Sequence, residues 1–382
     1  MTPIRIPQHP LHLTGEEQDC VAEAIRGQHL AGDGPYSRRC ALWLRQNTGS
    51  AAALLTPSCT AALELAALLC GLRPGDEVIM PSFTFSSTAT AFLSVGATPV
   101  FADIDPWDMN LSPESLRQSI TSRSRAVVPV HYAGCACRME EIMGIAREHG
   151  LYVVEDAAQG IMALDGERPL GAIGDFGCLS FHESKNIHCG EGGCLLLTDP
   201  AMIEQAEIFR EKGTDRSRFY RGQVDKYTWR DRGSSYLLSD LNAAFLWAQL
   251  NHAHAITEDR LRVFRRYQEG LTPLEERGLL RLPHPQERQR HNAHIFHLLC
   301  RSAGERVNLS DFLRQRGIAA YFHYIPLHSS PAGRRFGRTY APLPVTERLA
   351  DRLLRLPLHV GMPEGDIDAV ISAIFAYFSM PG

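Results

Sequence analysis

The amino-acid sequence predicts an α/β protein with a mainly parallel sheet covered by helices, followed by a smaller α+β part. Two observations carry that expectation. Short apolar runs alternate with helix-length segments from residue 16 to about 211, the pattern of repeated strand–helix–strand units. A long polar helix then begins near Ile256 and leads to Pro283-His284-Pro285, after which the pattern changes.

Taken in order, Glu16 to Arg26 is amphipathic and reads as an opening helix. Thr56-Pro57-Ser58-Cys59-Thr60 is a hydroxyl-bearing loop that opens a helix running to about Cys70. A strand at Glu77–Met80, a helix near Ser87–Val95 and a strand at Thr98–Asp103 follow. Next come a strand at Ala126–Val130, a helix at Met139–His149 and a strand at Leu151–Glu155. Phe176–Leu179 and Cys194–Thr198 read as further strands, and Ala201–Glu211 as a helix. The helix from Ile256 carries Glu258, Asp259, Arg260, Arg262, Arg265 and Arg266, and the Pro-rich stretch after it reads as a hinge. Beyond it, strands are expected at His294–Cys300 and Ala319–His323, with helices at Asn308–Arg316, Val345–Leu354 and Asp366–Phe378. This divides the chain into residues 1–255 and 256–382. It has no internal repeat and no low-complexity tail.

Three segments carry chemistry. Leu151-Tyr152-Val153-Val154-Glu155-Asp156 is an apolar run ending in two carboxylates, as when a buried parallel strand delivers an acid to its carboxyl end, where open α/β sheets bind ligands. Lys185 follows the apolar run Phe176–Leu179 and precedes Gly190-Glu191-Gly192-Gly193. A lysine desolvated there has a lowered pKa and becomes a nucleophilic amine. The helix opened by Ser58, Cys59 and Thr60 offers unsatisfied N–H groups, a positive dipole end and hydroxyls to a phosphate. Singly, each has a plainer reading: a solvated lysine, an ordinary Ser/Thr cap. Together, in the order phosphate loop, acid, lysine, they are the protein groups that pyridoxal phosphate requires.

Composition sets the outer bounds. With 44% hydrophobic and 21% charged residues over 382 positions, the chain falls in the globular range and is long enough for a large and a small domain. A formal charge of −4 argues against a nucleic-acid footprint. No apolar run is long enough for a membrane span. Met1 to Pro7 lacks the apolar core of a signal peptide, which leaves the cytoplasm as the expected compartment. Of the ten cysteines, Cys20, Cys40, Cys70, Cys178, Cys194 and Cys300 read as buried small hydrophobes. Cys135-Ala136-Cys137 lacks zinc or redox-pair spacing, and His188-Cys189 alone does not make a metal site, so neither a metal nor a disulfide framework is expected.

Over essentially its whole length the chain resembles the DegT/StrS family of pyridoxal-phosphate-dependent sugar aminotransferases. The resemblance is carried by Pro74-Gly75-Asp76 through Phe85, Pro129-Val130-His131-Tyr132-Ala133-Gly134, Val154 to Gln159, Ser180-Phe181-His182 through Lys185-Asn186, and Tyr324-Ile325-Pro326-Leu327-His328. It implies the fold type I aminotransferase architecture, with pyridoxal 5'-phosphate as cofactor and a homodimer whose subunits share each active site. Lys185 would bond the cofactor's aldehyde carbon and, once released, move the proton. Asp156 would keep the ring nitrogen protonated, and Gln159 would lie on the 3-hydroxyl side. Phe85 would stack on the ring rather than fill core. Ser58, Cys59, Thr60 and Ser180 would cradle the phosphate, and His182 would orient substrate. Phe209–Thr214, Arg221–Arg230 and Gly233–Leu237 are most similar to the branch that aminates C4 of a dTDP-4-keto-6-deoxy sugar, with L-glutamate as donor and a galactose-configured product.

Two departures from the common family pattern bear on this. Cys59 stands where glycine is usual, which permits the same backbone approach only if its φ is negative. Ser235 and Leu237 stand where the pattern Gly-Tyr-Asn-Tyr-Arg has its asparagine and arginine. Ser235 would then be the group reaching a phosphate held mainly by the other subunit, or else a cap for the helix starting near Leu238-Ser239-Asp240, and one candidate anchor for an acidic group is missing. The competing readings are an aminotransferase for another nucleotide-linked or cyclitol ketone, a sugar dehydratase, and a non-catalytic regulator on the same scaffold. The dehydratase branch has histidine in place of the lysine, and an intact Lys185, Asp156 and phosphate loop argue against the regulator.

Overall fold

The computed structural model describes residues 3–380. Its centre is a seven-stranded sheet built from β1 (Ala52–Thr56), β2 (Glu77–Pro81), β3 (Thr98–Ala102), β4 (Ser124–Val127), β5 (Tyr152–Asp156), β6 (Phe176–Ser180) and β7 (Gly193–Leu197), in spatial order β1-β7-β6-β5-β4-β2-β3. All neighbours are parallel except β7, which runs antiparallel to both β1 and β6. Most of these strands are buried along their whole length, which is why they read as continuous apolar runs rather than alternating ones.

Helices α1 (Glu17–Arg26), α2 (Pro35–Thr48), α3 (Cys59–Leu69), α4 (Ser86–Leu93) and α5 (Asp240–Asn251) pack around the sheet. One apolar layer joins α3 and α4 to the sheet through Leu63, Leu65, Val78, Met80 and Phe92; a second joins α2 and α5 to it through Leu44, Leu55, Leu196 and Leu246. Helix α6 (Ala253–Glu276) is the long helix expected from Ile256, and its apolar side enters a further core around a small antiparallel sheet. That sheet has the order β8 (Leu280–Arg281), β9 (Phe296–Cys300), β10 (Leu353–Leu356), covered by helices Ala303–Gln315 and Glu364–Phe378. Ile6, near the start of the chain, is buried in this same core and bridges Ile318.

The structure adds elements to those expected from the sequence and corrects two expectations. Helix α2 and strand β1 were not anticipated, although α2 carries the expected punctuation: Pro35 in its first turn and Gly49 after it at φ 71°. The helix expected over Val345–Leu354 ends at Ala350, and Leu353–Leu356 forms β10 because its leucines pair with Phe296–Leu299. Short apolar runs do not distinguish helix from strand until a partner is found. The strand expected over Ala319–His323 is reduced to a single bridge between Tyr321 and Arg355, after which the chain leaves the sheet.

Candidate active site

The site assembles at the carboxyl ends of β2, β5 and β6 and the amino end of α3. Alternation along β5 sends its two terminal carboxylates to opposite faces. Glu155 is fully buried within the scaffold. Its Oε1 accepts from the Ile173 and Gly174 N–H groups, both at 2.7 Å, and its Oε2 accepts from the Gly171 N–H at 2.9 Å and lies 2.8 Å from His131 Nε2. These donors hold its carboxyl below the usual range against the opposing effect of burial. Asp156 faces the site instead. Its Oδ2 accepts from Thr88 Oγ1 at 2.7 Å and its Oδ1 from the Ala158 N–H at 3.2 Å.

Lys185 lies in a loop closed on itself: Phe181 N–H donates to Gly192, Glu183 to Gly190 and Lys185 to His182, at 2.8 to 2.9 Å. Asn186 ties this loop to the segment before β9, donating to Asn292 O at 2.9 Å and pairing with His294 Nδ1 at 2.9 Å. Burial lowers the Lys185 pKa, Asp156 opposes that shift, and the Arg355 cation adds to it. A Cys59 thiolate would also oppose it, but burial pushes that thiol well above its ordinary value and keeps it protonated. Among the described residues the Lys185 ammonium has no hydrogen-bond partner, and depression of its pKa leaves a larger share of neutral, nucleophilic amine.

At the start of α3, the Ser58 hydroxyl accepts from the Ala61 N–H at 3.1 Å, so the ordinary cap is present. It still has its proton to donate. The Cys59 and Thr60 N–H groups precede the first intrahelical bond and have no acceptor among the described residues. Cys59 is not among the residues with positive φ, so replacing the usual glycine costs no backbone strain. The close approach is supplied instead by Gly193, where a Cβ would stand 2.4 Å from the Ser58 carbonyl carbon and 2.5 Å from Cys59 N. Thr60 Oγ1 bonds Ser87 Oγ at 2.8 Å, joining the loop to α4. Ser180, at the end of β6, is paired with Gly193 and buried.

Gln159 is gripped from two sides. Its Oε1 accepts from the Ala133 N–H at 2.7 Å and its Nε2 donates to the Tyr324 hydroxyl at 3.1 Å. Ala133 has φ 59°, unusual for a residue with a Cβ, and this turn is what aims its N–H at Gln159. Phe85, just before α4, is 60% exposed, with its ring 6.4 Å from that of Tyr324, so it is an aromatic face available to a flat ligand.

Nearly all the sequence-predicted residues therefore converge. Two stand apart. His182 is tied to its own loop, with Nδ1 2.8 Å from Ser184 Oγ and Nε2 3.7 Å from Glu191. Ser235 is exposed, is held only by a backbone bridge to Glu211, and bonds no member of the cluster within this chain. Nor does it cap the following helix, a position taken by Ser239, whose hydroxyl accepts from the Asn242 N–H. Thr88, Tyr324, Asn186 and Arg355 were missed as site residues. For Thr88 the signal was present in the hydroxyl run Thr84–Thr88 after β2; for Arg355 there was none, since it lies far along the chain in an ordinary apolar strand.

Residues 12–375 match the DegT/DnrJ/EryC1/StrS aminotransferase family. The chain belongs to this family. The spore coat polysaccharide biosynthesis protein SpsC of Bacillus subtilis (strain 168) is 33% identical over 375 residues, covering 96% of this chain and 95% of SpsC. A pleiotropic regulatory protein of Geobacillus stearothermophilus is 32% identical, covering 83% of this chain and 82% of its own. Among solved structures, DesV of S. venezuelae superposes with a TM-score of 0.89 at 29% identity, each chain fully covered. The aminotransferase TlmJ of Streptoalloteichus hindustanus gives 0.90 at 28% identity, with 98% of this chain and 99% of TlmJ covered. Membership in this aminotransferase family agrees with the convergent lysine, carboxylate and helix N-terminus. Among the described residues, no helix is long and apolar enough to cross a membrane.

Proposed function

We propose that this aminotransferase uses pyridoxal 5'-phosphate to move an amino group from L-glutamate to C4 of a dTDP-4-keto-6-deoxyhexose in the cytoplasm. The product is then a dTDP-4-amino-4,6-dideoxy sugar of galactose configuration. The observation that carries the cofactor assignment is the half-buried Lys185, with its lowered pKa, beside Asp156 and the free N–H groups that open α3. NtdA of Bacillus subtilis, which has been solved with the cofactor PMP bound, is 26% identical to this chain, with a TM-score of 0.89 and 100% of this chain and 86% of NtdA covered.

The residues present fit the group. The Cys59 and Thr60 N–H groups with the Ser58 and Ser180 hydroxyls would take the phosphate, and the positive end of α3 favours its charge. Asp156, fixed by Thr88 and the Ala158 N–H, would pair with the ring nitrogen; Gln159, fixed by Ala133 and Tyr324, would take the ring oxygen; Phe85 would cover one face. Bound there, pyridoxal phosphate supplies an electron sink next to the carbon that loses its proton. Lys185 would hold the cofactor covalently and would accept and return that proton, and its depressed pKa suits it to both tasks. His182, with its loop partners Ser184 and Glu191, orients the sugar. Two subunits complete each site, with Ser235 reaching the phosphate bound by the other chain.

The sugar assignment rests on the segments Phe209–Thr214, Arg221–Arg230 and Gly233–Leu237. It is tested by assaying dTDP- and UDP-linked 4-keto sugars with glutamate and determining the C4 configuration of the product. Turnover confined to a UDP-sugar or a cyclitol ketone, or an equatorial C4 amine, overturns it. A purified protein with no cofactor chromophore, or one that glutamate does not bleach, overturns the enzymatic reading in favour of a regulator.

A further inference from the structure

Arg355 and His297 are directly opposed on β10 and β9, which places their side chains on one face of the small sheet. Among the described residues, each carries a buried nitrogen without a hydrogen-bond partner: Arg355 Nε and His297 Nδ1. Orphaned buried polar atoms are rare and call for a reason. The Arg355 guanidinium makes a single bond, from Nη2 to Phe322 O at 3.3 Å, and has no carboxylate partner among the described residues. A mostly buried, unpaired cation is unfavourable unless an anion joins it.

The surroundings indicate where that anion arrives. The Tyr132 ring lies 5.8 Å from His297, 5.7 Å from His323 and 6.2 Å from Tyr324, and Tyr324 holds Gln159. This aromatic wall links the small sheet to the Lys185 site. The imidazoles in it supply no positive charge, because burial brings His323 down to about 2 and His297 to about 3. Arg355 is a fixed cation on this side of the site, close enough to depress Lys185. Arg260, which lines the cavity beside Lys185, is by contrast held by the Ala293 and His294 carbonyls at 3.1 and 2.8 Å.

We propose that Arg355, assisted by a hydrogen bond from His297 Nδ1, anchors the carboxylate of the amino donor. This rests on the aminotransferase reading above and supplies the acid-binding group that Leu237 does not provide. A guanidinium presents a planar fork suited to a carboxylate, and a neutral imidazole in its Nδ1–H tautomer adds a donor beside it.

The two half-reactions separate this from other roles. The donor half is followed by the absorbance change of the holoenzyme on mixing with L-glutamate. The acceptor half starts from the amine form of the enzyme and a dTDP-4-keto-6-deoxy sugar. Glutarate, which has carboxylates but no amine, reports binding alone by calorimetry. With Arg355→Met, the glutarate Kd and the glutamate concentration for half-maximal rate are expected to rise about a hundredfold, while the acceptor half changes by less than about twofold. Arg355→Lys should recover part of the loss, and His297→Phe should raise the glutamate requirement about tenfold.

Unchanged glutamate and glutarate dependence in Arg355→Met overturns the proposal. Selective loss of the acceptor half also overturns it, assigning Arg355 to the sugar diphosphate instead. Loss of both halves together with a lowered melting temperature overturns it in favour of a packing role. A wild-type holoenzyme inert to glutamate sinks the donor assignment itself, and the anchor with it, before any variant is made.

Discussion

Glu155→Gln separates the two adjacent carboxylates of β5 and can be worked out from the geometry. The substitution keeps the shape and removes the charge. The new carbonyl oxygen can stay with the Ile173 and Gly174 N–H groups, each 2.7 Å from Oε1. The new NH2 must then face the Gly171 N–H, which lies 2.9 Å from Oε2, and His131 Nε2, which lies 2.8 Å from it. His131 can accept only by changing tautomer, which turns an Nδ1–H against the Cys137 N–H that Nδ1 now accepts at 3.1 Å. One N–H there and the Gly171 N–H therefore lose their acceptor, and each buried donor left unpaired costs about 1–3 kcal/mol. The two surviving bonds lose their charge assistance, about 1 kcal/mol each. The sum is about 4–8 kcal/mol. At about 2.1 cal/mol/K per residue, the unfolding entropy of a chain this long is about 0.8 kcal/mol/K, so the melting temperature should fall by about 5–10 °C.

The pH dependence gives a second, independent readout. The Glu155 carboxyl is held below its ordinary value in the folded chain, so its contribution is present above the unfolded value and is lost as pH falls through the folded one. The gap between wild type and Glu155→Gln should therefore be constant near neutrality and narrow in acid. Differential scanning calorimetry of both proteins between pH 4 and pH 8 measures this. Equal melting temperatures at neutral pH would refute the argument that these N–H donors require an anion. A gap that widens in acid would refute the sign.

Four further outcomes test the site. Lys185→Ala should lower transamination by several orders of magnitude while leaving the melting temperature of the cofactor-free protein unchanged or raised, because the ammonium has no partner to orphan; near-normal turnover would contradict its role. Asp156→Asn should still bind the cofactor but lose most activity, since a neutral amide does not hold the ring nitrogen protonated, and wild-type turnover with a normal pyridinium spectrum would rule that function out. Ser235→Ala should weaken cofactor retention about ten- to a hundredfold through loss of one charge-assisted bond. Mixing inactive Lys185→Ala and Ser235→Asp chains should restore one working site per heterodimer; heterodimers that form and remain inactive would show that Ser235 does not act across subunits.

By itself, the sequence determined the parallel sheet, the acid at the end of β5, the lysine loop and the hydroxyl loop before α3, because each depends on local pattern: an apolar run of strand length, a turn, a helix start. It also marked Gly193, within the Gly-rich turn, but not its task, since only the packing of β7 on β1 brings that backbone against Ser58 and Cys59. Local pattern alone did not decide which carboxylate of the Glu155-Asp156 pair serves the scaffold; only the family resemblance pointed to Asp156 for the site. Adjacent strand residues point to opposite faces, and only the tertiary structure shows which face holds the Gly171–Gly174 N–H groups and which holds Thr88. Leu353–Leu356 reads as well in a helix as in a strand until β9 lies beside it. Arg355 carries no local signal at all. Its place beside His297, with an unpaired cation turned toward the aromatic wall, follows from pairing between segments more than fifty residues apart, and a linear pattern does not encode long-range pairing of that kind.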